Sequence, residues 1–339
     1  MTSSRLTAMV GCLVAVSIVW QPARSIKGQT VADAPALTYS AADSLGLAPA
    51  KTAQLKQALE VRDYIAAEEL LLPEIGQGDR SPRAANLLDF IGGVYFLDHD
   101  YFHAAVAWKK SEAIAPLQTP VKFSLAMAYV RLGHSDWARG ELQFLAKQNP
   151  KDALYPYWLG RLDFAGHSYG DATLHFKKAI ELAPGMATAY NNLGLCYYHQ
   201  NQNELSIQSY RRAIDLGRNL PHPSAWPYLN LAIVLRLMNR PAEAETDLQE
   251  AILLDPKFAQ AHFQMGAVLD DAGHANAAIS EFRKAALLDP NYAEPHFALA
   301  RIYRKLGQDE TARKEVQSYL RLRAHSSGGV SPADQEPLP

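Results

Sequence analysis

The chain has 339 residues, 48% of them apolar and 20% charged, with a formal charge of −2. That balance supports a sizeable core and excludes wholesale disorder. It offers no basic excess to hold a nucleic-acid backbone, so no nucleic-acid partner is expected.

Taken in chain order, residues 1–25 read as a secretory signal. Arg5 precedes an apolar run of 15 residues, Leu6–Trp20, and Ala23-Arg24-Ser25 gives a small-x-small cleavage pattern. The run is shorter than the ~20 residues a spanning helix needs, so no transmembrane span is expected in the mature chain. Cys12 follows Met9-Val10-Gly11, but the apolar run continues beyond it, which argues against lipid attachment. Cleavage removes two arginines and no acid, taking the charge from −2 to −4, and leaves Cys196 as the single cysteine. An intramolecular disulfide and a cysteine metal cage are thereby excluded. The location expected is periplasmic or secreted, in a bacterial-type envelope. Residues 26–47, small, polar and punctuated by proline, read as a flexible tether.

From there a period of 34 governs the chain. A small residue follows an apolar one at Ile91-Gly92, Leu125-Ala126, Leu159-Gly160, Leu193-Gly194, Leu231-Ala232, Met265-Gly266 and Leu299-Ala300. Twelve residues later comes a second small residue, as at Ala104, Ala172 and Ser206, and four further on a bulky one, as at Trp108, Phe176 and Tyr210. Most units close on proline, at Pro116, Pro150, Pro184, Pro256 and Pro290. Apolar spacings of three and four within each half are helix periodicity with one face buried. Paired small residues let two helices cross closely, proline breaks the chain between units, and Gly133, Gly273 and Gly307 mark the turn within one. A lone helical hairpin cannot bury its apolar face, so the units must stack.

The expected units are 85–118, 119–152, 153–186, 187–224, 225–258, 259–292 and 293–326. A degenerate helix pair precedes them at 48–84, and a disordered tail follows at 327–339. An insertion of four residues near Pro221–Ser224 and the missing proline at Arg218 interrupt the regularity.

The pattern resembles the tetratricopeptide repeat family, W-x2-L-G-x2-Y, then A-x3-F, then P. "YNNLGLCYY" at Tyr190–Tyr198 with "SIQSYRRAI" at Ser206–Ile214 carries it, as does the stretch His262–Pro290. The resemblance implies an all-α fold, an α-solenoid wound as a right-handed superhelix of antiparallel helix pairs.

Chemical motifs are scarce. Gly166-His167-Ser168-Tyr169-Gly170 satisfies the G-x-S-x-G nucleophile pattern, which requires a strand before the serine and a helix after it. Here Ser168 falls on the turn between two helices, so a turn is the reading and a hydrolase only a remote alternative. His99 and His103, flanked by Asp98 and Asp100, need not share a face, and no metal is expected. His262 and His296 share a repeat position and read as stacked core residues. The pairs Asp98/Asp100 and Asp270-Asp271 read as helix caps. No phosphate-binding loop, zinc-protease or dinucleotide fingerprint is present. Neither an enzyme, nor a cofactor, nor a small-molecule substrate is expected.

Family architecture implies that the first helices line a concave groove. Carried over by position, the groove residues are Arg131, Tyr157, Trp158, Arg161, Asn191, Asn192, Tyr198, Trp226, Asn230, Arg236 and Gln264, with Phe164, Thr188 and His199 beside them. Trp158 and Trp226 are expected on the open wall. Asn192, Asn230 and Gln264 form a ladder of amides able to grip the backbone of an extended polypeptide. The arginines favour carboxylates. The clamp of the chaperone-binding members is absent, since Phe123, Met127 and Trp158 hold its places. The function expected is a scaffold or adaptor that binds a protein or peptide partner. The alternative is a structural subunit of a membrane-associated secretion or polysaccharide-export assembly.

Overall fold

The structure, a computed structural model, describes residues 42–328; the expected signal, most of the tether and the tail beyond Gly328 lie outside them. Sixteen α-helices follow one another in pairs, with no strand among the described residues. The first pair is α1 (Pro49–Glu60) with α2 (Tyr64–Leu71). Then come α3 (Pro82–Leu97) with α4 (Tyr101–Glu112), and α5 (Thr119–Arg131) with α6 (Ser135–Gln148). The middle of the array is α7 (Leu154–Ala165) with α8 (Tyr169–Leu182), and α9 (Ala187–His199) with α10 (Asn203–Gly217). It closes with α11 (Trp226–Leu237) and α12 (Pro241–Leu254), α13 (Ala259–Asp271) and α14 (Ala275–Leu288), and α15 (Glu294–Lys305) and α16 (Asp309–Gly328).

Each turn within a pair is built alike. One residue takes a left-handed conformation, at Arg62, His99, Gly133, His167, Asn201, Asn239, Gly273 and Gly307. The next N–H donates to the carbonyl five residues back, as from Asp100 to Tyr95 (2.9 Å), Gln202 to Tyr197 (2.8 Å) and His274 to Leu269 (2.8 Å). That is a Schellman cap, which satisfies the last carbonyls of the first helix while reversing the chain.

The small-then-bulky pattern is the packing between the two helices of a pair. Trp108 and Tyr210 are buried against glycines, and a Cβ on Gly92 would stand 2.5 Å from Trp108 Nε1. Each second helix packs on its own first helix and on the first helix of the next pair. First helices of neighbouring pairs also touch, α3 with α5, α7 with α9, α9 with α11 and α11 with α13, so they make one continuous face. Two expectations at the ends need correcting. Ala42 and Leu45 are buried against Leu55 and Leu71, so the stretch 42–47 caps α1 and does not belong to a loose tether. At the other end α16 extends to Gly328, into the stretch expected as tail.

Candidate protein-binding face

The face of the first helices brings the predicted groove residues together, at two depths. Tyr157 and Trp158 on α7, Asn230 on α11 and Gln264 on α13 are buried. Arg131, Arg161, Asn191, Asn192, Tyr198, Trp226 and Arg236 are half-buried and reach solvent, as does Thr188. The expectation of an open tryptophan wall is therefore corrected. Trp158 lies 6.4 Å from the Phe123 ring of the preceding unit and 6.1 Å from Tyr157, and the Arg161 guanidinium lies over it at 4.8 Å. Trp226 meets Phe258 edge-on at 4.6 Å. Trp158 is a packing residue with an arginine as the solvent-facing layer above it, whereas Trp226 packs on Phe258 and stays half-buried.

The amide ladder is corrected in the same way. The sixth place of a unit is buried at Phe90, Ser124, Trp158, Asn230, Gln264 and Ala298, and open only at Asn192. Asn192 donates to the Tyr157 hydroxyl (3.3 Å), and Asn230 donates to Asn191 Oδ1 (3.1 Å). Side-chain bonds thus link three units, the Tyr157 hydroxyl on α7 with Asn192 on α9 and Asn191 on α9 with Asn230 on α11. Gln264 Oε1 is buried without a hydrogen-bond partner. Asn191, Asn192 and Tyr198, flanked by Arg161 and Arg236, form a half-buried polar window centred on α9.

Aromatic rings frame the window at the turns. His199 stacks flat on Tyr169 at 4.5 Å and lies 5.5 Å from the Phe164 ring. His167 bonds the Tyr169 hydroxyl through Nδ1 at 3.0 Å. Burial, followed by the nearby His167, lowers the pKa of His199. Burial raises the Tyr198 hydroxyl despite the nearby Arg236. At the N-terminal side Arg131 lies over the Tyr101 ring at 5.8 Å.

Other candidate chemistry resolves into structural contacts. Ser168 stands just past the left-handed His167, its N–H donating to the Asp163 carbonyl at 2.8 Å, with a helix and not a strand before it. His99 and His103 part company, His99 bonding the Tyr101 hydroxyl (2.8 Å) and His103 the Asp100 carboxylate (2.6 Å). No cluster of three metal-ligating side chains occurs among the described residues. His262 and His296 are paired with Glu281 and Glu315, each at 2.7 Å, and are not stacked on rings. Asp270 and Asp271 are not caps either: Asp271 holds Arg236 at 2.9 Å, and Asp270 holds Arg301. Sequence reasoning missed the buried Asp163, which takes Arg139 at 2.7 Å and His175 at 2.6 Å and ties α6, α7 and α8 together. Its signal was an acid at a place filled by Tyr129, Tyr197 and Tyr303 in other units.

Stacked helix pairs with one continuous face of first helices define an α-solenoid whose surface serves protein interaction. The chain belongs to the tetratricopeptide repeat family: three family models, each described as tetratricopeptide repeat, match residues 123–187, 185–257 and 269–327. Among curated proteins it is 23% identical over 155 residues to the "DnaJ homolog subfamily C member 7 homolog" of Schizosaccharomyces pombe. This match covers 42% of the chain and 33% of that protein. It is also 23% identical over 195 residues to "BBSome complex member BBS4" of Bos taurus, 56% of the chain and 37% of that protein. The chain thus spans little more than a third of these relatives. A tetratricopeptide repeat protein from Parabacteroides merdae superposes with a TM-score of 0.59 at 17% identity, over 78% of the chain and 99% of that structure. PilW, titled a "type IV pilus biogenesis factor", superposes at 0.54 with 20% identity, over 64% and 96%. Both likenesses are of fold. No helix among the described residues is long and apolar enough to cross a membrane.

Proposed function

We propose that the protein is a non-enzymatic scaffold that holds an extended polypeptide segment of a partner along the face of its first helices, in a bacterial-type envelope. The observation that carries this reading is the polar window on α9. Asn191, Asn192 and Tyr198 are half-buried beside Arg161 and Arg236, on a face where Tyr157, Trp158, Asn230 and Gln264 are buried. The Asn191 and Asn192 amides, bonded to Asn230 and to the Tyr157 hydroxyl, can still engage a peptide backbone, because each carries both donors and an acceptor. Arginine beside them favours segments with carboxylates. Export rests on the Arg5, Leu6–Trp20 and Ala23–Ser25 pattern, and sequencing the N-terminus of the mature protein tests it.

The test of the window is a capture experiment with the double variant Arg161→Glu/Asn192→Ala, crosslinked in envelope extract beside the unaltered chain. A partner retained by the parent and weakened at least tenfold in the variant, at equal helicity, is the expected result. Equal capture would move the interaction to another surface.

A further inference from the structure

The two ends of the array differ. At the N-terminal end residues 42–47 cover α1, with Ala42 and Leu45 buried. At the C-terminal end, no further first helix among the described residues covers the face that every earlier unit places under the next one. Phe297 and Leu320 are 55% and 58% exposed, while their equivalents in the preceding units, Phe263 and Ala286, are half-buried. In the sequence register, residues 327–339 follow unit 293–326, and they hold Gly328, Gly329, Pro332 and Pro337.

The open face has an apolar middle and a basic border. Phe297 packs beside Tyr319 at 5.3 Å. Arg301, Arg304 and Lys305 follow Phe297 on α15 at intervals of four, seven and eight residues, which is one face of a helix. Unit 293–326 carries seven Lys and Arg against four Asp and Glu, on a chain whose total charge is −2. Inside the array the same register shows how such a face is covered. Arg236, the equivalent of Arg304, takes Asp271 from the last turn of the covering helix α13. Arg304 has no acidic partner among the described residues, and Arg301 and Lys305 share only Asp270.

We infer that this end slot, Phe297, Arg301, Arg304, Lys305, Tyr319 and Leu320, receives an amphipathic helix of a partner protein that brings carboxylates near its C-terminal end. A second copy stacked in register does not suit it. The N-terminal end is capped by residues 42–47, with Ala42 and Leu45 buried, so it presents no bare first helix to the slot. The assignment is independent of what the α9 window binds.

A hydrocarbon-stapled peptide with the sequence Ala259–Asp271, the helix that covers the equivalent face of the preceding unit, serves as the probe. Saturable binding to the full chain is expected by fluorescence anisotropy, weakened at least tenfold by Arg304→Glu/Lys305→Glu. The same loss is expected when the peptide's two aspartates are replaced by lysine, while Arg161→Glu/Asn192→Ala leaves binding unchanged. Circular dichroism and Tm of each variant confirm that the array is intact. Four results would each overturn the assignment: no binding, binding indifferent to the charge reversals, mass-dependent self-association abolished by Arg304→Glu, or Arg304-dependent adsorption to phosphatidylglycerol vesicles in place of peptide binding. A tenfold gain in affinity on Asp334→Lys/Glu336→Lys would give the slot to residues 329–339 and overturn it equally.

Discussion

Gly194 has no room for a side chain, since a Cβ there would stand 2.5 Å from Tyr210 Cε1, on a ring that is fully buried. Neither partner can move without opening the crossing of α9 and α10. Gly194→Val is therefore expected to cost about 1–3 kcal/mol, the usual scale of overpacking, read as a lower midpoint in urea. Asp247 gives a residue-scale test in pH. Its place on the second helix is held by Glu141, Glu281 and Glu315 in other units, which meet Lys122, His262 and His296; in its own unit the facing place is Tyr228. Burial, only partly offset by Arg211, pushes its carboxyl up from 3.8 to about 6. A raised folded-state pKa means a contribution to stability present below about 4 and lost as pH rises through about 6. Asp247→Asn should thus raise Tm at pH 7.5, with the gain vanishing near pH 4. A gain of equal size at both would show that ionisation is not the cause. The repeat pattern in the sequence placed both residues, because sterics and spacing are local. The missing base opposite Asp247 was equally legible, but only by comparing units place by place.

At the scale of the element, the helices were legible and their depth was not. Period-34 spacing assigned first and second helices, since glycine, proline and apolar spacing act within one chain segment. How far a side chain stands from solvent depends on how closely neighbouring first helices approach, which no single unit encodes. Trp158 shows the difference. Its place in the unit points it to the inner face, but Phe123 and Tyr157 close over it and leave Arg161 on top. Trp158→Ala is expected to cost about 3–5 kcal/mol as a buried aromatic truncation, whereas Arg161→Ala should cost under about 1 kcal/mol, as a half-exposed residue. Chemical denaturation of the two single variants measures this, and equal small losses would return Trp158 to the surface. The amide ladder failed as an expectation for the same reason: only its Asn192 rung lies where the helices leave an opening.

Across the whole molecule, each unit touches chiefly its neighbours, so stability is a sum of unit and interface terms. The two surfaces that stand out are the polar window on α9 and the open basic end at α15 and α16. The outer helices carry scattered apolar residues such as Leu174, 66% exposed on α8, which give a built-in control. The most direct measurement places a photo-reactive amino acid at Asn192 in one preparation and at Leu174 in another, then irradiates each in envelope extract. The account predicts a partner crosslinked from Asn192, with the contact mapping to one short unfolded segment of that partner, and none from Leu174. A partner crosslinked from Leu174 alone would contradict it.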